Sequence, residues 1–108
     1  MALNPLLENE IKLKVPKLYK VILLNDDYTT FDFVIEILKT IFYKSEEEAI
    51  NLTLKVDREG SAIVGVYPYE IAQMKVDKMH KVARDAGYPL RAIITKIKNT
   101  TKKSRKTE

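Results

Sequence analysis

Three consecutive positions, Asn25-Asp26-Asp27, set one amide and two carboxylates side by side, with Thr29 two residues on. Oxygen-rich clusters of this kind bond their own backbone and build a turn, or they offer acceptors to a hard cation. The glycine-punctuated loop of a calcium site is missing, so no metal is indicated. Other reactive side chains are scarce. The chain has no Cys and one His, His80, which removes thiolate catalysis, Cys–His pairs and zinc-type sites. His80 stands in a helical stretch one turn from Asp77 and Arg84, and a solvated face is expected for it. Three glycines cannot build a phosphate-cradling loop, and no strand-turn-helix serine motif accompanies the histidine. The inventory points away from an enzyme and calls for no cofactor.

The acidic triplet lies at a corner between a strand and a helix. Before it, residues 18 to 24 carry the β-branched and aromatic content of a buried strand. After it, Phe31, Val34, Leu38, Ile41 and Phe42 recur at helical spacing, predicting a helix from about Thr30 to Tyr43. Thr29 with Asp32 has the form of a capping box for this helix. Ser45-Glu46-Glu47-Glu48 is a second capping box, and Ala49, Leu52, Thr53 and Val56 form one face of the helix it starts. Gly60 suits a left-handed stop. Ser61 to Tyr67 reads as a second strand, in which Gly65 admits close approach of another backbone. Pro68 opens a third helix with the stripe Ala72, Val76, Met79, Ala83, Ala86. Gly87 closes it, and Tyr88-Pro89 leads into a third strand, Leu90 to Ile97. The order βααβαβ predicts an α+β two-layer sandwich, a three-stranded antiparallel sheet with three helices on one face.

The net charge of +4 is unevenly placed. Residues 98 to 108 hold five Lys/Arg and one Glu, whereas residues 1 to 97 hold fourteen of each sign. A neutral body is no dispersed basic face, so nucleic acid is not indicated as a partner except through weak phosphate contacts of the tail. Three regions are expected: a flexible arm over 1–18, a core domain over 19–97 and a basic disordered tail over 98–108. No apolar run approaches the ~18 residues that span a bilayer, and the first residues make a poor signal peptide. A soluble cytoplasmic protein is the expectation.

The run Tyr19-Lys20-Val21-Ile22-Leu23-Leu24-Asn25-Asp26-Asp27-Tyr28-Thr29 closely resembles the ClpS adaptor family. The resemblance continues at Gly60 to Tyr67, at Glu70-Ile71-Ala72 with Lys75-Val76, and at Ala86-Gly87-Tyr88-Pro89-Leu90. It covers about residues 19 to 96. It implies a non-catalytic adaptor that binds N-degron proteins, those with a bulky hydrophobic first residue, and hands them to the N-terminal domain of a ClpA- or ClpC-type AAA+ unfoldase. By the same resemblance, Asn25, Asp26 and Asp27 match the rim that binds the substrate's α-amino group. Thr29, Phe31, Val34, Thr53, Val56 and Leu90 match the side-chain pocket, and Glu70 and Lys75 the unfoldase surface. The arm occupies the place of the extension needed for delivery.

Three positions depart from the family pattern. Asp57 stands where a His usually helps bind the amine; a carboxylate there can accept a charge-assisted bond from an ammonium, and equally can repel Asp26 and Asp27 when the pocket is empty. Phe31 replaces a frequent gating Met, and Thr53 replaces another common Met, so the two changes compensate in size. Two alternatives remain open at this point: a family-like module whose N-degron pocket is altered or lost and which modulates the unfoldase, and a nucleic-acid-associated protein acting through residues 98–108.

Overall fold

Along residues 20 to 24 burial alternates: Val21 and Leu23 are fully enclosed, while Lys20, Ile22 and Leu24 are only partly covered. One covered face and one open face describe a sheet with helices on a single side. In the computed structural model, which describes residues 16–97, this segment is the central strand β1 (Leu18–Leu24). There follow α1 (Phe31–Thr40), α2 (Glu46–Glu59), β2 (Ser61–Pro68), α3 (Tyr69–Asp85) and β3 (Arg91–Lys96). β1 pairs antiparallel with both other strands, in the order β2-β1-β3. The α+β class and the βααβαβ order are those expected. The tail 98–108 and all but the last three residues of the 1–18 arm lie outside the described residues.

The inward side chains Val21, Leu23, Ala62, Val64 and Ala92 meet Ala72, Val76, Met79 and Ala83 of α3. Val34, Ile37 and Leu38 of α1 join Ala49 and Val56 of α2 in the same core. Each large side chain enclosed in this way contributes roughly 1.5–3 kcal/mol. Ala86, the last member of the expected α3 stripe, is instead exposed at the helix C-cap.

Local chemistry sets the helix ends. α2 begins with the full capping box: the Ser45 hydroxyl accepts from the Glu48 N–H, and the Glu48 carboxylate accepts from the Ser45 N–H. It ends at Gly60, whose φ of 92° is left-handed. α1 corrects the expected cap. Thr30, not Thr29, accepts from the Phe33 N–H, because the Thr29 hydroxyl is engaged with Asp26. α1 also stops at Thr40, short of the expected Tyr43, which takes a positive φ of 53°. The Ile41 carbonyl freed by that stop accepts from Lys75 Nζ at 2.7 Å. The same ammonium lies 4.4 Å from the Tyr43 ring centroid and 5.3 Å from that of Tyr67. A cation at a helix C-terminus and over aromatic faces is doubly favoured.

Two further expectations change. Gly65 makes room for a side chain: the Tyr67 ring folds over it, so that an added Cβ would collide with the phenol. A bulge beside it leaves Val64 as the extra residue between the pairs Val21↔Gly65 and Ile22↔Ile63. His80 is half-buried rather than solvated, and its Nε2 accepts from the Ala92 N–H at 3.2 Å. This bond covers a donor on the free edge of β3.

Burial holds the His80 pKa below its ordinary 6.5; Arg84 and Arg91 push the same way and Asp77 opposes them. Below that value the unfolded chain takes up a proton that the folded chain refuses, so stability is lost as pH falls. Urea unfolding at about pH 7.5 and about pH 5.5 should show a smaller acid loss for His80→Gln, whose amide oxygen still accepts but does not titrate. Equal losses would show that His80 is not the sensitive group.

Candidate functional site

The site forms where β1 leaves the sheet. The Asn25 N–H donates to the Gly60 carbonyl at 2.9 Å, which pins the end of β1 against the end of α2. The next residue shapes the corner. Asp26 Oδ1 accepts from the N–H groups of Tyr28 and Thr29 at 2.8 and 2.7 Å, and Oδ2 accepts from the Thr29 hydroxyl at 2.8 Å. Burial alone would raise the Asp26 pKa, but these bonds from Thr29 and Tyr28, with Arg84 nearby, hold it below its ordinary value. Asp26 is thus the turn-builder of the triplet. Asp27 is exposed to solvent.

Behind this corner is an open cavity of about 230 Å³. Its rim carries Asn25, Asp26, Asp27, Thr29 and Asp57, and its walls are Leu24, Phe31, Val34, Thr53, Val56 and Leu90. Every residue expected at the amine rim or in the side-chain pocket lines this one cavity. α1 supplies Phe31 and Val34, α2 supplies Thr53, Val56 and Asp57, and the residue before β3 supplies Leu90. Val34, Thr53, Val56 and Leu90 are buried, whereas Phe31 is 45% exposed, at the mouth rather than in the hole. Engineered apolar cavities of ~150 Å³ hold a benzene ring, so this one has room for an aromatic side chain. Asp27 and Asp57 stand in no ion pair among the described residues. Their charges are available to a cationic guest.

Two contributors were not anticipated. Leu24 lines the cavity, and its place directly before the acidic triplet was the available signal. Arg84 fixes the loop that carries Leu90, donating to the carbonyls of Tyr88 and Leu90 at 3.0 and 2.8 Å; no spacing in the chain announces that contact. Glu70 and Lys75 are not part of the cavity. Glu70 is exposed in the first turn of α3, while Lys75 is partly buried by its bond to Ile41 and by the rings around it. Burial, with Lys78 adding to it, lowers the Lys75 pKa. Among the described residues no cluster of three or more His, Asp or Glu side chains is arranged to hold a metal ion. No described helix is long and apolar enough to cross a membrane.

The sequence model of the family described as ATP-dependent Clp protease adaptor protein ClpS matches residues 14–93. The chain belongs to the ClpS family. A ClpS adapter protein of Nautilia profundicola is 69% identical over 97 residues, covering 90% of this chain and all of the relative. One from Wolinella succinogenes is 49% identical over 88 residues, covering 82% and 86%. ClpS2 of Agrobacterium tumefaciens, solved bound to L-phenylalaninamide, superposes with a TM-score of 0.74 at 40% identity and covers 77% of this chain and all of its own. As a ClpS the chain is an adaptor of a Clp protease, not a catalyst.

The Asp26 network is the part of this site that folding alone tests. Asp26→Ala frees two N–H groups and a hydroxyl, as loss of a helix cap does, and should cost about 0.5–2 kcal/mol in urea unfolding. A variant as stable as wild type would show that the loop stands without it.

Proposed function

We propose that this chain binds the free N-terminus of proteins whose first residue is bulky and hydrophobic, and delivers them to a ClpA- or ClpC-type AAA+ unfoldase. The observation that carries the reading is the meeting of unpaired carboxylates with an apolar hole: Asp27 and Asp57 at the mouth, Val34, Val56 and Leu90 below. A free α-amino group occurs once per chain and is an ammonium near neutral pH. It brings three N–H donors, and the Asn25 amide oxygen, Asp27 and Asp57 are three acceptors. Bonds to a charged group are worth ~1.5–3 kcal/mol each. Asp26 orients this rim through three bonds to its own loop, and its Oδ2, which accepts only one of them, keeps a lone pair for the guest.

The hole selects the side chain. Enclosing a Leu or Phe side chain adds ~1.5–3 kcal/mol. After ordering costs, a few such contributions sum to about 8 kcal/mol, or micromolar affinity, which suits an adaptor that must release its cargo. L-phenylalaninamide, the ligand of the Agrobacterium relative, has the two required features, a free α-amino group and a phenyl ring. Position 57 is served here by a carboxylate in place of the family's usual imidazole, and its bond to the ammonium is in principle at least as strong as one to a neutral imidazole. The exposed Glu70 and the tethered Lys75 form the surface offered to the unfoldase.

Titration with peptides beginning in Leu or Phe should show micromolar binding that N-acetylation abolishes; equal binding of both forms would remove the amine mechanism. Asp57→Asn keeps shape and removes charge, and should weaken free-amine peptides by about tenfold or more. Unchanged affinity would leave Asp57 without a role in recognition. For the partner surface, Glu70→Ala should weaken binding to the unfoldase's N-terminal domain while peptide affinity stays at the wild-type value. Loss of both in Glu70→Ala would contradict a separate surface.

A further inference from the structure

Thr53 is the one polar side chain buried among the described residues, 2% exposed, and it lies in the wall of the cavity beside Val34, Val56 and Leu90. Its hydroxyl donates to the Ala49 carbonyl one turn back at 2.8 Å. A threonine hydroxyl has one proton and two lone pairs. With the proton committed to Ala49, the oxygen has only acceptor capacity left for a guest. Such a group distinguishes guests by whether they carry a donor.

Thr53 sits in the cavity wall one helical turn from the rim residue Asp57. Thr53 and Asp57 are four residues apart on α2 and share a face. The separation along the axis is about 6 Å, comparable to the reach of an aromatic side chain from backbone to ring tip. The cavity of about 230 Å³ exceeds the ~150 Å³ that suffices for benzene, so a ring with a substituent fits. Phe31, 45% exposed at the mouth, offers an aromatic edge to a ring that enters.

We infer that Thr53 is a specificity-determining residue: its hydroxyl accepts the phenol O–H of a first-residue tyrosine, so this adaptor prefers tyrosine to phenylalanine and leucine. The inference rests on the terminal-amine reading above and deepens it. A phenol enclosed without an acceptor loses its bond to water and gains nothing in return. Thr53 supplies that bond from a stretch of wall otherwise made of Val34, Val56 and Leu90. A phenylalanine or leucine buries similar apolar area but leaves the acceptor facing hydrocarbon. The discrimination is modest, because the Thr53 hydroxyl already has Ala49 as a partner. A net hydrogen bond of ordinary strength corresponds to about three- to tenfold in affinity.

The test uses the full chain and peptides identical except for a first residue of Tyr, Phe or Leu, each also N-acetylated on Tyr as a control. Wild type should bind the Tyr peptide about three- to tenfold tighter than the Phe peptide. Thr53→Val, isosteric and without the hydroxyl, should bring that ratio to one or below; the readout is the ratio measured within each variant. Thr53→Ser keeps the hydroxyl and should keep the preference. Thr53→Ala, which favours the helix, supplies the hydroxyl-free comparison if the valine variant folds poorly. Equal binding of Tyr and Phe peptides by wild type, or a Tyr preference that survives both Thr53→Val and Thr53→Ala, would overturn the inference. Binding of the acetylated Tyr peptide as tightly as the free one would instead defeat the amine reading, whatever the Tyr-to-Phe ratio.

Discussion

One backbone hydrogen bond, from the Asn25 N–H to the Gly60 carbonyl, brings the two halves of the mouth together. It joins the end of β1 to the residue that stops α2, thirty-five positions away in the chain. The bond depends on Gly60 taking a left-handed φ of 92°, which turns the chain from helix to strand at a single residue. Ser61 can then pair with Leu24 at once. A residue with a Cβ at that position would be strained, and a longer turn would carry Val56 and Asp57 away from Asn25 and Asp27. The geometry of the acidic mouth therefore follows from a helix stop.

Two side chains in the chemically conspicuous segments work for the fold. Asp26, in the middle of the triplet, shapes the loop whose outer members stay open to solvent. Lys75 bonds the last turn of α1 from α3 and lies among three aromatic rings. A carboxylate held below its ordinary pKa and an ammonium whose pKa is depressed by burial both mark structural engagement here. Perturbed titration is common at functional sites, but structural networks produce it as well. Asp27 and Asp57, at the mouth of the cavity, stand in no ion pair among the described residues.

Periodicity made the elements legible. Alternation at Val21 and Leu23, the Ser45–Glu48 box and the stops at Gly60 and Gly87 are local signals, and each corresponds to an observed feature. The misreadings share a different character. Thr29 and Thr30 are adjacent and equally able to cap; the choice fell to Thr30 because Asp26 holds Thr29. The environment of His80 is set by Ala92, twelve residues on, and that of Lys75 by Ile41, thirty-four residues back. Pattern within one helix carries no record of such partners. Tyr67 over Gly65 was closer to being legible, since residues two apart on a strand share a face. The cavity's membership came from family resemblance, because three separated stretches, residues 24–34, 53–57 and Leu90, supply it and no single window of sequence contains it.

That scattering has a thermodynamic consequence. A hole whose wall is drawn from β1, its following loop, α1, α2 and the residue before β3 is complete only when all of them are in place, so a guest binds the folded chain and not the unfolded one. Occupancy is therefore linked to the global equilibrium, and a guest at a hundred times its dissociation constant would stabilise the whole domain by about 2.7 kcal/mol. The adaptor emptied of cargo is its least stable form, and melting temperature becomes a gauge of occupancy.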